Sequence, residues 1–248
     1  DLAALNHHIE AMRRCRLCPQ VQSQPVLGPV PGAQVYLMGQ APGPKEPALG
    51  KPFAWTAGRT LFKWFGSIGV QEETFRAGVY MAAVIRCFPG KMQGKPKENS
   101  PGKMQGKPQE NSPGKMQGKP NENSPGKPEG GGGDRRPSCD EIATCRAHWE
   151  TELALLRPAL VLPVGKMAIE LFMDPKREAK RLDDVVGRQF RLEHQGHAFD
   201  AVPLPHPSGL SRWIQSDSGK AKIAEALGLI AQHPAWRETF GGEPEAEG

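Results

Sequence analysis

Four short apolar runs, at 35–38, 79–85, 159–164 and 201–204, constrain this chain more than any other feature. They read as buried strands. Segments with helical periodicity separate them, at 58–66, 140–156, 166–173 and 219–232. Another opens the chain at 2–14, where Leu2, Leu5, Ile9 and Met12 share one face. Strand and helix in alternation, with short connections, indicate a parallel sheet covered by helices on both faces. Ligands in such folds bind beyond the carboxyl ends of the strands. Three loops there carry unusual chemistry: Gly39-Gln40-Ala41-Pro42-Gly43, Gly165-Lys166 and His206-Pro207-Ser208-Gly209-Leu210-Ser211.

Residues 90–125 repeat a twelve-residue unit three times, GKMQGKPKENSP, GKMQGKPQENSP and GKMQGKPNENSP, followed by GKPEGGGG. With one methionine per copy, the unit cannot bury enough surface to offset its ordering entropy. Residues 90–133 are therefore expected to be a disordered insertion, and 234–248 a flexible tail, in a single domain spanning 1–248. A hydrophobic fraction of 38% agrees with part of the chain lying outside the core. The formal net charge of +5 suits a polyanionic partner. No run of about 18 apolar residues is present. The start, Asp1-Leu2-Ala3-Ala4-Leu5, lacks a basic segment followed by an apolar one. A cytoplasmic monomer with no membrane partner is expected.

Five cysteines are present, an odd number that argues against a disulfide framework. Cys15-Arg16-Leu17-Cys18 follows a helix, whereas a redox pair usually opens one. Cys87 ends the second apolar run, and Cys145 lies in the helix after the insertion. With residues 90–133 set aside, these two become near neighbours in sequence and can converge with the CxxC. Four thiolates can hold a 4Fe–4S cluster or a zinc ion, and spacing alone does not choose. The bland alternative leaves Cys87 and Cys145 as small buried residues. Cys139, in a polar stretch, is left over.

In combination these motifs resemble a family. GQAPGPKEPALGKPFAWTAGRTL is similar to the first motif of the iron–sulfur uracil-DNA glycosylases, families 4 and 5. YMAAVIRC resembles their second-strand motif ending in a cluster cysteine, and RRPSCDEIATC their P-x-x-x-E-I-x-x-C segment. HPSGLS resembles the His-Pro-Ser motif of the superfamily, nearest its family 1 form. The resemblance runs from about Cys15 to about Leu229, apart from the repeats. It implies a three-layer α/β/α sandwich around a four-stranded parallel sheet. It further implies a 4Fe–4S cluster, mainly structural, on Cys15, Cys18, Cys87 and Cys145. The implied activity is base excision repair: uracil is flipped out of DNA and its glycosidic bond hydrolysed.

On that reading Phe53 stacks on the flipped base, and the backbone at Gln40 and Ala41 reaches a uracil carbonyl. His206 donates to the departing uracil anion. Leu210 is the wedge that fills the vacated stack. Ser208, Gly209, Ser211, Arg212, Gly165 and Lys166 meet DNA phosphates. Two departures stand out. Gln40 and Ala41 occupy positions where families 4 and 1, respectively, carry an acid. Ala83 stands where family 4 has the Asn that reads the base edge, which should widen the base range. Glu46 is the only carboxylate left in the first loop and the natural substitute base, although its place beyond Pro44-Lys45 predicts a solvated side chain. A general base is typically worth ~10²–10⁴-fold, so loss of the acid leaves a slow enzyme. The alternative is a weakly catalytic protein that binds uracil or abasic DNA.

Overall fold

The computed structural model describes residues 1–92, 133–173 and 181–241. The chain divides into a larger unit, Asp1–Gly90 with Asp134–Gly248, and a smaller one, Lys91–Gly133. Only Lys91, Met92 and Gly133 of the smaller unit are described. The expected disorder of the repeats thus falls almost wholly outside the described residues.

Among the described residues the larger unit is built on five strands: β1 (Val35–Gly39), β2 (Val79–Ala83), β3 (Leu160–Pro163), β4 (Phe190–His194) and β5 (His197–Ala201). Their order across the sheet is β2-β1-β3-β5-β4, parallel except for the β4–β5 pair. The α/β class is as the sequence indicates, with one strand more than the four expected. β4 is antiparallel and at the edge, and its residues alternate between half-buried and exposed. Arg191 and Glu193 on its outer face suit an edge that should not recruit another strand. The fourth expected strand also begins earlier than its apolar run. β5 ends at Ala201, and pairing with β3 continues through the Val202 and Leu204 N–H groups, which donate to Val161 and Pro163.

The side-chain period of two sorts the strands into two cores. Val35, Leu37, Val79, Met81, Leu160 and Leu162 face one side. There they meet α3 (Thr56–Gly66), α4 (Glu72–Gly78), α9 (Asp217–Gln232) and α10 (Pro234–Phe240). Tyr36, Met38, Tyr80, Ala82 and Val161 face the other, against α1 (Leu2–Arg13), α5 (Cys139–Leu156) and α6 (Lys166–Phe172). Burial on both faces is why β1, β2 and β3 read as unbroken apolar runs. The turns α2 (Glu46–Leu49), α7 (Leu182–Val185) and α8 (Arg212–Gln215) complete the order.

Of the flexible tail expected over 234–248, the first residues, Pro234–Phe240, are helical. His233 caps α10 by accepting the Ala235 N–H at its Nδ1, 3.2 Å away, while its Nε2 lies 3.1 Å from Asp200. Trp236 is buried and stacks on Phe65 with ring centroids 5.4 Å apart. That apolar burial holds the segment to the core, and residues 242–248 lie outside the described ones.

Candidate active site and cysteine cavity

β1 leaves the sheet through Gly39, and the ring of Phe53 lies directly over it. A Cβ on Gly39 would come within 2.8 Å of that ring. The approach of ring to backbone therefore requires glycine. Phe53 itself has φ 52°, in the left-handed region that side chains rarely adopt. Several contacts hold it there. Arg76 of α4 donates to the carbonyls of Pro52 (2.8 Å) and Phe53 (3.2 Å). Gly58 lets α3 pass so close that a Cβ there would lie 1.7 Å from the Phe53 oxygen. Strain so thoroughly over-determined is a mark of functional loops.

Glu46 is the third brace and corrects the expectation of a solvated carboxylate. It is 8% exposed. Its Oε2 accepts the Gly43 N–H at 2.6 Å and its Oε1 the Ala54 N–H at 3.0 Å. The side chain bridges the two limbs of the loop, which is why it is buried. Burial holds its pKa above the ordinary value, opposed by those N–H donors. A raised carboxyl binds its proton more tightly folded than unfolded, so stability falls as pH rises through that window. The stability advantage of wild type over Glu46→Gln should shrink as pH climbs from the ordinary carboxylate range through the raised value, then level off. Denaturant unfolding across a pH series measures this, and an advantage that widens over the window contradicts it.

On β2, Ala83 is the register partner of Gly39 and is buried beside it. Gln40 and Ala41 are half-buried. The Gln40 carbonyl accepts the Ile85 N–H at 3.3 Å. Among the described residues no protein acceptor takes the Gln40 or Ala41 backbone N–H, so both can serve a ligand.

The neighbouring strand end brings in the second loop. Val164 N–H donates to the Met38 carbonyl (2.8 Å), and Gly165 N–H to Leu204 (2.9 Å). Gly165, at φ +89°, abuts His206, where an added Cβ would sit 3.2 Å from the histidine Cβ. His206 thus stands at the strand end adjacent to the one that carries Phe53. As a residue His206 is exposed, yet the protein around it shields the imidazole enough to lower its pKa below the ordinary value. Neutral imidazole is the resting form at neutral pH. A tight turn follows. Ser208 N–H donates to the His206 carbonyl (2.8 Å) and Ser211 N–H to that of Ser208 (3.0 Å). Leu210 projects from this turn at 95% exposure, next to exposed Gly209 and Arg212. Lys166 is exposed, and its ion pair with Glu170, 3.5 Å away, is exposed at both ends and weak.

The cysteines gather elsewhere, on the α1–α5 side of the sheet. Cys15, Cys18, Cys87 and Cys145 line one cavity of about 260 Å³, together with Arg86 and His148. Cys139 is exposed at the start of α5. Burial, with Cys145 and Cys15 adding to it, pushes the Cys18 thiol up to about 11. Cys87 rises to about 12 for the same reasons, with Cys18 contributing. Arg86 Nε and His148 Nε2 are buried with no hydrogen-bond partner among the described residues. Two orphaned nitrogens on residues that line a four-thiol cavity fit an acceptor-rich group such as a metal–sulfur cluster. Among the described residues, no three His, Cys, Asp or Glu side chains close to the spacing of a single-ion site.

Sequence reasoning missed what supports these sites. Arg86 is 2% exposed and ion-paired with Glu152 of α5. Glu152 also accepts the hydroxyls of Tyr36 (2.6 Å) and Tyr80 (3.0 Å). Burial and the Glu152 carboxylate hold both phenols well above their ordinary pKa, so they remain donors. An arginine at the end of an apolar strand run was the available signal, since such a charge is buried only with a partner. Arg76 and Gly58 left no comparable trace.

The pattern of the Uracil DNA glycosylase superfamily matches residues 25–228. The chain is 21% identical over 213 residues to the type-4 uracil-DNA glycosylase of Archaeoglobus fulgidus, covering 84% of each. It is also 21% identical over 207 residues to that of Pyrobaculum aerophilum, covering 82% of each. The corresponding protein of Saccharolobus solfataricus is 21% identical over 226 residues, 87% of this chain and 83% of that one. The family match takes in β1 to β5 and the loops that carry Phe53 and His206, and by it the chain belongs to the uracil-DNA glycosylase superfamily.

Proposed function

We propose that this protein is a monofunctional DNA glycosylase that removes uracil, and with lower selectivity other deaminated bases, from DNA. The observation that carries the reading is the Phe53 ring laid over Gly39, with His206 at the next strand end. A flipped base needs a flat apolar platform, and Phe53 provides it. The free N–H groups of Gln40 and Ala41 suit a uracil carbonyl. As the glycosidic bond breaks, negative charge collects on the departing base. A neutral His206 donating to its O2 stabilises that charge without carrying a charge of its own. Leu210 is the wedge, and Gly165, Lys166, Ser208, Gly209, Ser211 and Arg212 supply backbone and side-chain contacts to flanking phosphates.

Among the described residues of the first loop, no acid is free to activate water. Gln40 and Ala41 cannot, and both oxygens of Glu46 already brace the loop. Catalysis then rests on leaving-group stabilisation, and turnover is slow. Ala83, lacking a side-chain amide, leaves the base edge loosely read, which favours a wider base range. The observation that Glu46 is occupied also favours the second reading, a binder of uracil or abasic DNA that turns over poorly.

For the cysteine cavity we propose a 4Fe–4S cluster held by Cys15, Cys18, Cys87 and Cys145. Four thiolates could hold a zinc ion instead, and it is the resemblance to the iron–sulfur glycosylases that favours the cluster. Such a cluster would tie the ends of α1 and β2 to α5, and the unpartnered Arg86 Nε and His148 Nε2 could donate to its sulfurs.

Two measurements test the reading. Uracil-containing oligonucleotides treated with protein and then alkali should be cleaved at the uracil, and uracil-free ones should not. Absence of any abasic product under single-turnover conditions removes the glycosylase reading and leaves the binder. The purified protein should be brown; Cys87→Ser should lose its iron and Cys139→Ser keep it. A colourless protein with stoichiometric zinc overturns the cluster.

A further inference from the structure

We propose that Trp55 and the exposed face of α3 form a track for single-stranded DNA, leading away from the base slot. The proposal rests on the DNA reading above and adds to it a second contact surface and a preferred substrate form.

Trp55 is 52% exposed, whereas the other four tryptophans are buried or half-buried. It immediately precedes α3, two residues after Phe53. Arg59 and Lys63 follow it at intervals of four and are exposed too. Residues so spaced lie on one helix face. The opposite face of α3, with Leu61, Phe62 and Phe65, is packed into the core. Lys51, on the loop before Trp55, is likewise exposed. Among the described residues no carboxylate pairs with Lys51, Arg59 or Lys63. The face is one large aromatic among three uncompensated cations.

The platform is also rigid. The Ala54 N–H is held by Glu46, the Phe53 carbonyl by Arg76, and the Trp55 carbonyl accepts the Arg59 N–H at 3.2 Å. Trp55 belongs to neither hydrophobic core, so core packing does not explain a tryptophan here. It does lose little freedom on stacking with a base. From Trp55 to Lys63 the helix rises about 12 Å, enough to meet more than one phosphate.

An aromatic face flanked by a basic line is the chemistry of single-strand binding, because only an unpaired, unstacked base offers its π face. Duplex DNA hides those faces and would use the cations alone.

Fluorescence anisotropy with a uracil-free labelled oligothymidine, and with the same strand in duplex, separates the cases. Trp55→Ala should weaken single-strand binding about 5- to 150-fold, the range of one base–aromatic stack. Trp55→Phe should restore most of it. Duplex affinity should change less than about two-fold. Replacing Arg59 and Lys63 together by Gln should weaken single-strand binding and flatten its logarithmic salt dependence by about 1.4. Unchanged single-strand affinity in Trp55→Ala overturns the track. An equal loss on both substrates overturns the single-strand assignment. Wild type that binds neither substrate at low salt removes the DNA reading itself. Because the probe carries no uracil, a catalytically dead wild type would leave this test intact.

Discussion

His206→Ala is expected to lose uracil excision by at least two orders of magnitude. Removing one donor to a developing oxyanion typically costs ~10²–10³-fold in rate. The histidine stands on the turn that follows Leu204, against Gly165 at the carboxyl end of β3. No carboxylate in the first loop is free to share the work, since Glu46 is engaged at both oxygens. The pH profile adds a readout that a structural role would not move. With its pKa lowered by shielding, His206 is neutral at pH 7, and a neutral donor predicts a rate that stays flat from neutral pH upward. If the imidazolium were required, the rate would fall as pH rises through that lowered value. Single-turnover excision on single-stranded uracil DNA measures both. Full activity in His206→Ala would sink the leaving-group mechanism. Gln40→Glu, which restores an acid at the first-loop position, should raise the rate or leave it unchanged.

Glu152→Ala is expected to destabilise the fold by about 3–5 kcal/mol, the usual cost of stranding a buried charge. Arg86 and Glu152 are 2% and 1% exposed, so solvent cannot take over from the missing partner. The variant would also leave the hydroxyls of Tyr36 and Tyr80 without their acceptor. Because Arg86 lines the cysteine cavity, iron retention should fall in the same variant. The double replacement Arg86→Met with Glu152→Leu should recover part of the stability, since it removes the unpaired charge rather than exposing it. Denaturant midpoints at constant slope report the difference. A loss below about 1 kcal/mol would mean that water reaches the guanidinium and that the pair is not a closed network.

Much of the architecture was legible because it follows from local pattern. The helices at α3, α5, α6 and α9 fall within two residues of their periodic segments. β4 was not read, although Phe190, Leu192 and His194 alternate with Arg191 and Glu193. Its apolar face is only half-buried, so the signal is that of an edge strand and weak. Residues 234–240, expected to be part of a flexible tail, form a helix that Pro234 opens at its first position. Glu46 was misread for a different reason. Its neighbours in sequence, Pro44 and Lys45, are exposed, and only closure of the loop brings Gly43 and Ala54 onto its two oxygens.

By itself the sequence determined that β1, β2 and β3 are buried on both faces, that four cysteines could share one site, and that glycine-rich loops leave the strand ends. Those are properties of periodicity and spacing, set within a few residues. Tertiary structure alone decided that β1 lies between β2 and β3, which puts Ala83, Gly39 and Gly165 on neighbouring strand ends. It alone decided that Phe53 lies on Gly39, and that Arg86 finds its counter-charge 66 residues away on α5. Strand order, register and buried charge pairing depend on contacts between segments far apart in the chain, and no local pattern carries that information.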